Sequence, residues 1–243
     1  MPFTLAHAAI IYPLKKMDRR LSVSGLITGA VIPDFEYFIR MRHISSGHQW
    51  NEKLLLHFTA ALLLCFLFHG LIKKPLYENL PPKLSGYLYP VIQLNWNKNF
   101  LKHTGLITLS VLLGIFSHFL WDSFTHKGAL MTELLPRLQY TFSIGKTQLP
   151  VYFMLQLLSS IGGLWILFRS VPPNPVVTEK IVPTGKSSFY WPGLILISLS
   201  LFLLRFFAWA DNNSYLSLLK AAIGAVLYSW IIVSLLYRLI KKG

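Results

Sequence analysis

The chain has 243 residues, 53% of them hydrophobic and only 13% charged, with 23 Lys and Arg against 9 Asp and Glu and a mean hydropathy of +0.50. That composition excludes an intrinsically disordered chain and a soluble domain, whose surface at this length would carry far more charge, and it implies that lipid covers much of the exterior. The net charge of +14 does not indicate nucleic acid, because the basic residues are scattered between apolar runs, as membrane flanks are, and line no single surface.

Taken in chain order, residues 2–12 and 21–41 read as two short helices lying at or partly in the membrane. The opening apolar stretch contains His7 and Pro13 and comes before Lys15, Lys16, Arg19 and Arg20, the reverse of a cleavable signal, so it is expected to be retained. Gly25 and Gly29 form a pair of small residues four apart that permits close helix approach. Five stretches are then long and apolar enough to cross a bilayer: 54–72, 105–121, 149–168, 191–210 and 216–240. The Pro-rich joints at 73–104 and 169–190 read as loops outside the hydrocarbon. Residues 211–215 allow only a tight turn, which makes the last two spans an antiparallel hairpin. Arg205 lies near enough to its helix end to snorkel. The fold class expected is all-α, a multi-pass transmembrane helical bundle of about five spans with N-terminal interfacial helices. Basic residues balance between the two sides, so orientation is not assigned.

All eight histidines lie between His7 and His126. The chain therefore divides into a metal-site half, 1–148, and a three-span half without histidine, 149–243. Cys65 is the only cysteine, which removes disulfide frameworks and Cys-rich zinc modules and leaves His and carboxylates as the metal ligands available.

The strongest local pattern is Gly114-Ile-Phe-Ser-His118-Phe-Leu-Trp-Asp122-Ser-Phe-Thr-His126, three ligand-type residues four apart at the end of an apolar span. On a helix they share one face. Four residues rise about 6 Å, so neighbours can hold one metal, whereas the outer pair, about 12 Å apart, cannot share one. Asp122 could then bridge two ions. The plainer reading is an intramembrane His and Asp satisfied by neighbouring helices, but ionisable groups inside a membrane are costly and usually functional.

A second pattern is Gly29-Ala-Val-Ile-Pro33-Asp34-Phe-Glu36-Tyr37-Phe, where proline opens a helix and Asp34 and Glu36 fall in its first turn. Either these acids ligate a metal or they complement the helix dipole. His7, alone, could equally be an interfacial histidine. Topology connects them, because residues before the first span and just after the second share one side of the membrane: His7, Asp34, His48, Asp122 and His126 can meet there. His57 lies on that near side, as a ligand or as an interhelical hydrogen-bonding group, while His69 and His103 face the opposite side. His43, beside Arg40 and Arg42, reads as headgroup-facing charge. No phosphate-binding loop, dinucleotide fingerprint, serine elbow or His-Glu-x-x-His pattern is present. Ser117 beside His118 makes no triad, since adjacent helical residues point apart.

Met1-Pro-Phe-Thr-Leu-Ala-His7 together with the two patterns above resembles the bacterial membrane-protein family catalogued as domain-of-unknown-function family four-one-eight-four, with the likeness running through about residue 170. More distantly, the order His, Pro-Asp, His, Ser-His-x-x-x-Asp resembles the membrane-bound metal-dependent hydrolases and the zinc-dependent phospholipase C superfamily, where such residues hold catalytic zinc. That resemblance implies His7, Asp34, His48, His118 and Asp122 as metal ligands, with His48 the middle histidine. The expected cofactor is a divalent metal, zinc first.

The expected activity is metal-dependent hydrolysis of an ester or phosphoester, with Asp122 or Asp34 orienting water and Glu36 or His126 as base or second-metal ligand. The expected partner is membrane lipid, including anionic headgroups, in the bacterial inner membrane, with no nucleic acid. The competing expectations are a transporter or channel for a metal ion or proton, lined by His57, His118 and Asp122, and a membrane scaffold without activity.

Overall fold

Hydrocarbon offers no water to backbone amides, so apolar runs of this length are satisfied only as helices or closed barrels. The computed structural model describes residues 4–42, 50–145, 147–171, 188–209 and 214–242, with the backbone alone at 50–52, 82, 83, 144 and 242. A 3-10 stretch, Thr4–Ile10, leads into α1 (Ile11–Met17) and α2 (Val23–Ile39). Next come α3 (Trp50–Leu67), a π-turn at Phe68–Ile72, α4 (Lys73–Asn79), α5 (Pro82–Gln93), α6 (Trp96–Lys102) and α7 (Thr104–Thr125). A short α8 (Leu130–Leu134), a 3-10 turn at Pro136–Gln139 and the antiparallel hairpin of β1 (Thr141–Ile144) and β2 (Thr147–Pro150) join α7 to α9 (Val151–Ser170). The described chain closes with α10 (Tyr190–Ala208) and α11 (Tyr215–Lys242).

Five helical segments are long and apolar enough to cross a membrane: Lys53–Asn79, Thr104–Leu134, Val151–Ser170, Tyr190–Ala208 and Tyr215–Lys241. They match the five expected spans in number and position, and the protein is an all-α, multi-pass bundle. The joint at 73–104 is helical where a loop was expected. Pro82 opens α5, where its missing N–H costs nothing. Most of the joint at 169–190 and residues 210–213 lie outside the described residues.

The chain forms two compact units. One comprises Met1–Pro33, Gln49–Leu63 and His103–Val171; the other comprises Asp34–His48, Leu64–Lys102 and Pro172–Gly243. In the first, α2 and α7 lie side by side in the same direction with their backbones nearly touching. A Cβ on Gly25 would sit 3.0 Å from that of Ser110, one on Gly29 would run into the Val111 carbonyl, and one on Gly114 would sit 2.6 Å from the Leu26 carbonyl. The Ser22 amide donates to Ser110 Oγ at 2.8 Å. Helices without side chains at the crossing gain attraction from close backbone approach, and this is how Gly25 and Gly29 are used. On α9, a Cβ at Gly163 would lie 2.8 Å from the Ala6 carbonyl, which seats the N-terminal 3-10 stretch.

In the second unit, α10 and α11 form the expected antiparallel pair, with Tyr190, Leu194, Val233 and Tyr237 at its core. Glu78 on α4 accepts from Tyr237 Oη at 2.7 Å and Lys241 Nζ at 2.9 Å, and Trp191 Nε1 donates to the Asn79 carbonyl at 2.9 Å. The end of α2 is held by Tyr228 Oη donating to the Ile39 carbonyl at 3.0 Å and by Arg205 Nε donating to the Met41 carbonyl at 2.8 Å. This corrects the expectation for Arg205. It does not snorkel but is 2% exposed, its guanidinium turned inward to the Met41 carbonyl in the turn that follows α2.

Candidate metal centre

On α7 the four-residue spacing does what helix periodicity requires: His118 and Asp122 lie one turn apart on a buried face. His118 Nδ1 lies 2.8 Å from the Ala30 carbonyl on α2. A carbonyl only accepts, so Nδ1 carries a proton, which leaves Nε2 as the ring nitrogen that can act as a ligand. That Nε2 faces Asp122 Oδ2 at 3.2 Å. The close approach of α2 to α7 at Gly29 and Gly114 brings the carbonyl within reach, so the small-residue contact and the orientation of His118 are one feature.

His7 comes from the N-terminal 3-10 stretch, one residue after the Ala6 that packs on Gly163. Its ring stacks on that of His118 with centroids 3.9 Å apart and planes 23° apart, and its Nε2 lies 3.4 Å from Asp122 Oδ1. Burial, with the His118 ring beside it, pushes the His7 imidazole from its ordinary value down to about 2, so it is neutral at physiological pH. One donor atom from each of His7, His118 and Asp122 lies within 4.8 Å of the other two, and all three residues are buried.

These residues fit a divalent metal. Two buried imidazole nitrogens and a carboxylate converge, and among them the orientation of His118 is fixed by a backbone carbonyl, the usual outer support of a metal-bound histidine.

His126 stands at the rim. It leaves the helix in an extended conformation after Thr125, its Nδ1 is 3.3 Å from the Asp122 carbonyl and 3.5 Å from Asp122 Oδ1, and its Nε2 is 3.2 Å from Gln156 Nε2 on α9. Its side chain is 39% exposed, against 1% and 0% for His7 and His118.

Among the described residues, therefore, four of the residues expected at the site come together: His7, His118, Asp122 and His126. Asp34 and Glu36 belong to the second unit, where Asp34 is buried and interacts electrostatically with Lys220, and Glu36 pairs with Arg40 Nε at 3.0 Å. His48 and His43 lie outside the described residues. His57 is buried, its ring centroid 5.7 Å from that of Phe119. His69 is buried in the π-turn and stacks on Trp96 at 4.5 Å. Sequence reasoning missed Gln156; its signal was a lone amide side chain in the apolar run of α9.

A family model described as Domain of unknown function (DUF4184) matches residues 1–240. The chain belongs to this family. The match covers both units of the DUF4184 fold described above, so the C-terminal spans are part of the family's shared architecture as much as the histidine-bearing ones. No curated protein and no solved structure matches the chain.

Proposed function

We propose that this DUF4184 protein is a membrane-bound metal-dependent hydrolase that acts on an ester or phosphoester of a lipid or lipid-linked substrate in the bacterial inner membrane. The observation that carries the reading is the convergence of His7, His118 and Asp122 in a buried cluster with His126 at its exposed edge. A divalent ion in that cluster, zinc first for a set of two imidazoles and a carboxylate, supplies Lewis-acid polarisation of a carbonyl or phosphoryl oxygen and lowers the pKa of water.

The chain's own residues divide the remaining work. The Ala30 carbonyl holds His118 in one tautomer. Asp122 reaches both histidines with separate oxygens and orients water at the cluster. His126 is the exposed imidazole next to the cluster; its Nε2, once released by Gln156, would take a proton from water and return it to the leaving oxygen, a contribution worth about 10²–10⁴-fold in rate. Gln156 fixes the ring of His126 from α9. Lys127 and Arg137 follow the site closely in sequence, in keeping with an anionic headgroup.

The test is hydrolysis of phospholipid and lipid-like esters by purified protein in nanodiscs, with and without chelator. Chelation should abolish turnover, zinc should restore it, and Asp122→Asn should lower kcat on the order of 100-fold. Turnover indifferent to chelation and to Asp122→Asn would refute the assignment. Ion flux in proteoliposomes without hydrolysis of any tested lipid would favour transport instead.

A further inference from the structure

The connection from α7 to α9 departs from what a water-exposed loop requires. Within thirteen residues it presents Leu130, Leu134, Leu135, Tyr140 and Phe142 at 45–64% exposure. The segment is not loosely strung. Thr132 Oγ1 lies 2.8 Å from the His126 carbonyl and 2.7 Å from that of Ala129, Gln139 Nε2 donates to the Thr132 carbonyl at 2.8 Å, and the Val151 amide donates to the Tyr140 carbonyl at 2.9 Å. An ordered elbow thus holds large apolar side chains outward.

The hairpin has the alternation of an interfacial element. Phe142 pairs across the strands with Leu149, and Ser143 with Gln148. Paired residues share a face and successive ones oppose it, so one face carries Phe142 and Leu149 and the other carries Ser143 and Gln148. The elbow follows a helix that itself carries an exposed apolar stripe, Leu109, Leu112, Phe116 and Leu120 of α7, as a lipid-facing span does. Aromatic rings beside sparse basic residues, here Tyr140 and Phe142 with Lys127 and Arg137, are what the level of the headgroups selects.

We infer that residues 130–142 form a membrane-inserted elbow whose partner is the headgroup and upper acyl region of the leaflet at the C-terminal end of α7. Because Thr132 ties the elbow to the backbone of His126, insertion sets the rim of the metal cluster at headgroup depth. A substrate with acyl chains then reaches the cluster sideways from the leaflet, a consequence that rests on the hydrolase reading, whereas insertion itself does not.

The experiment places single cysteines at Leu134, Phe142 and Ser143 in a Cys65→Ser background and attaches an environment-sensitive fluorophore to protein in liposomes. Leu134 and Phe142 should be quenched by lipids bearing a nitroxide near the headgroup and shielded from aqueous iodide at least several-fold relative to Ser143. Equal iodide access at all three positions would overturn the inference, as would shielding from both quenchers, which would mean that protein covers the elbow. Retention of the parent melting temperature confirms that each variant is folded; where labelling at Phe142 disturbs it, Tyr140→Cys serves for the same face. No enzymatic activity enters the readout, so failure of the hydrolase reading leaves this result interpretable.

Discussion

His118 is tied to Ala30: its Nδ1–H donates to the Ala30 carbonyl across 2.8 Å, with the ring wholly buried. With Nδ1 engaged there, Nε2 is the nitrogen that faces Asp122, so the orientation of the ring is set by a backbone carbonyl of α2. It depends in turn on the absence of side chains at Gly29 and Gly114, which lets α2 approach α7 closely enough for the bond to form.

Adjacent glycines on α9 give the sharpest test of how the N-terminal stretch is seated. A Cβ on Gly163 would lie 2.8 Å from the Ala6 carbonyl, whereas one on Gly162 would meet nothing within 4 Å. Gly163→Ala should displace Ala6 and His7 and cost about 1–3 kcal/mol through overpacking. Gly162→Ala should be neutral or stabilise by about 0.4–1 kcal/mol. Thermal melting in detergent reads both, and equal effects would contradict the seating described.

Arg205 offers a second test. As a donor to the end of α2, it should lose about 1–3 kcal/mol on replacement by leucine, because the Met41 carbonyl is left without that partner. Arg205→Lys should recover only part of this, since an ammonium cannot reproduce the guanidinium geometry. A melting temperature unchanged in Arg205→Leu would restore the snorkelling picture.

The five spans were legible because hydropathy over about twenty residues is a property of composition, independent of packing. The pairing of His118 with Asp122 was legible for a similar reason, since helix periodicity fixes which residues share a face. What periodicity does not carry is distance between elements. It therefore could not bring His7 from the N-terminal stretch to Asp122, where the structure places it. The role of Gln156 depends on α9 passing His126, and the burial of Arg205 on α2 ending beneath it. Neither is written in local sequence. The helices over 73–102 were obscured by prolines, which mark a helix start as readily as a break.

Topology is checked by labelling. In a Cys65→Ser background, cysteines introduced at Lys127 and Lys83 should react with a membrane-impermeant maleimide from opposite sides, because α7, Thr104–Thr125, lies between them in the chain. Reaction of both from one side would mean that this helix does not cross the bilayer, and the near-side assignment of His7 and His126 would fail with it.

Transport and hydrolysis part company at the far-side histidines. His69→Gln with His103→Gln should leave hydrolysis within a few-fold of the parent protein, since His69 packs on Trp96 in the second unit and takes no part in the cluster. A transporter would need an exit path, and the same double substitution should then reduce flux as severely as Asp122→Asn. Flux lost in both, with no hydrolysis, would reverse the order of the two readings.

The most direct measurement is the metal content of detergent-purified protein by mass spectrometry, for the parent chain and for His7→Ala, His118→Ala and Asp122→Ala. The parent protein should carry about one divalent ion per chain, zinc first, and each substitution should lower retention by roughly 10–100-fold or more, while His69→Gln leaves it unchanged. Metal absent from the parent protein after purification in zinc-supplemented buffer, or retained equally in all three variants, would contradict a metal centre built by His7, His118 and Asp122.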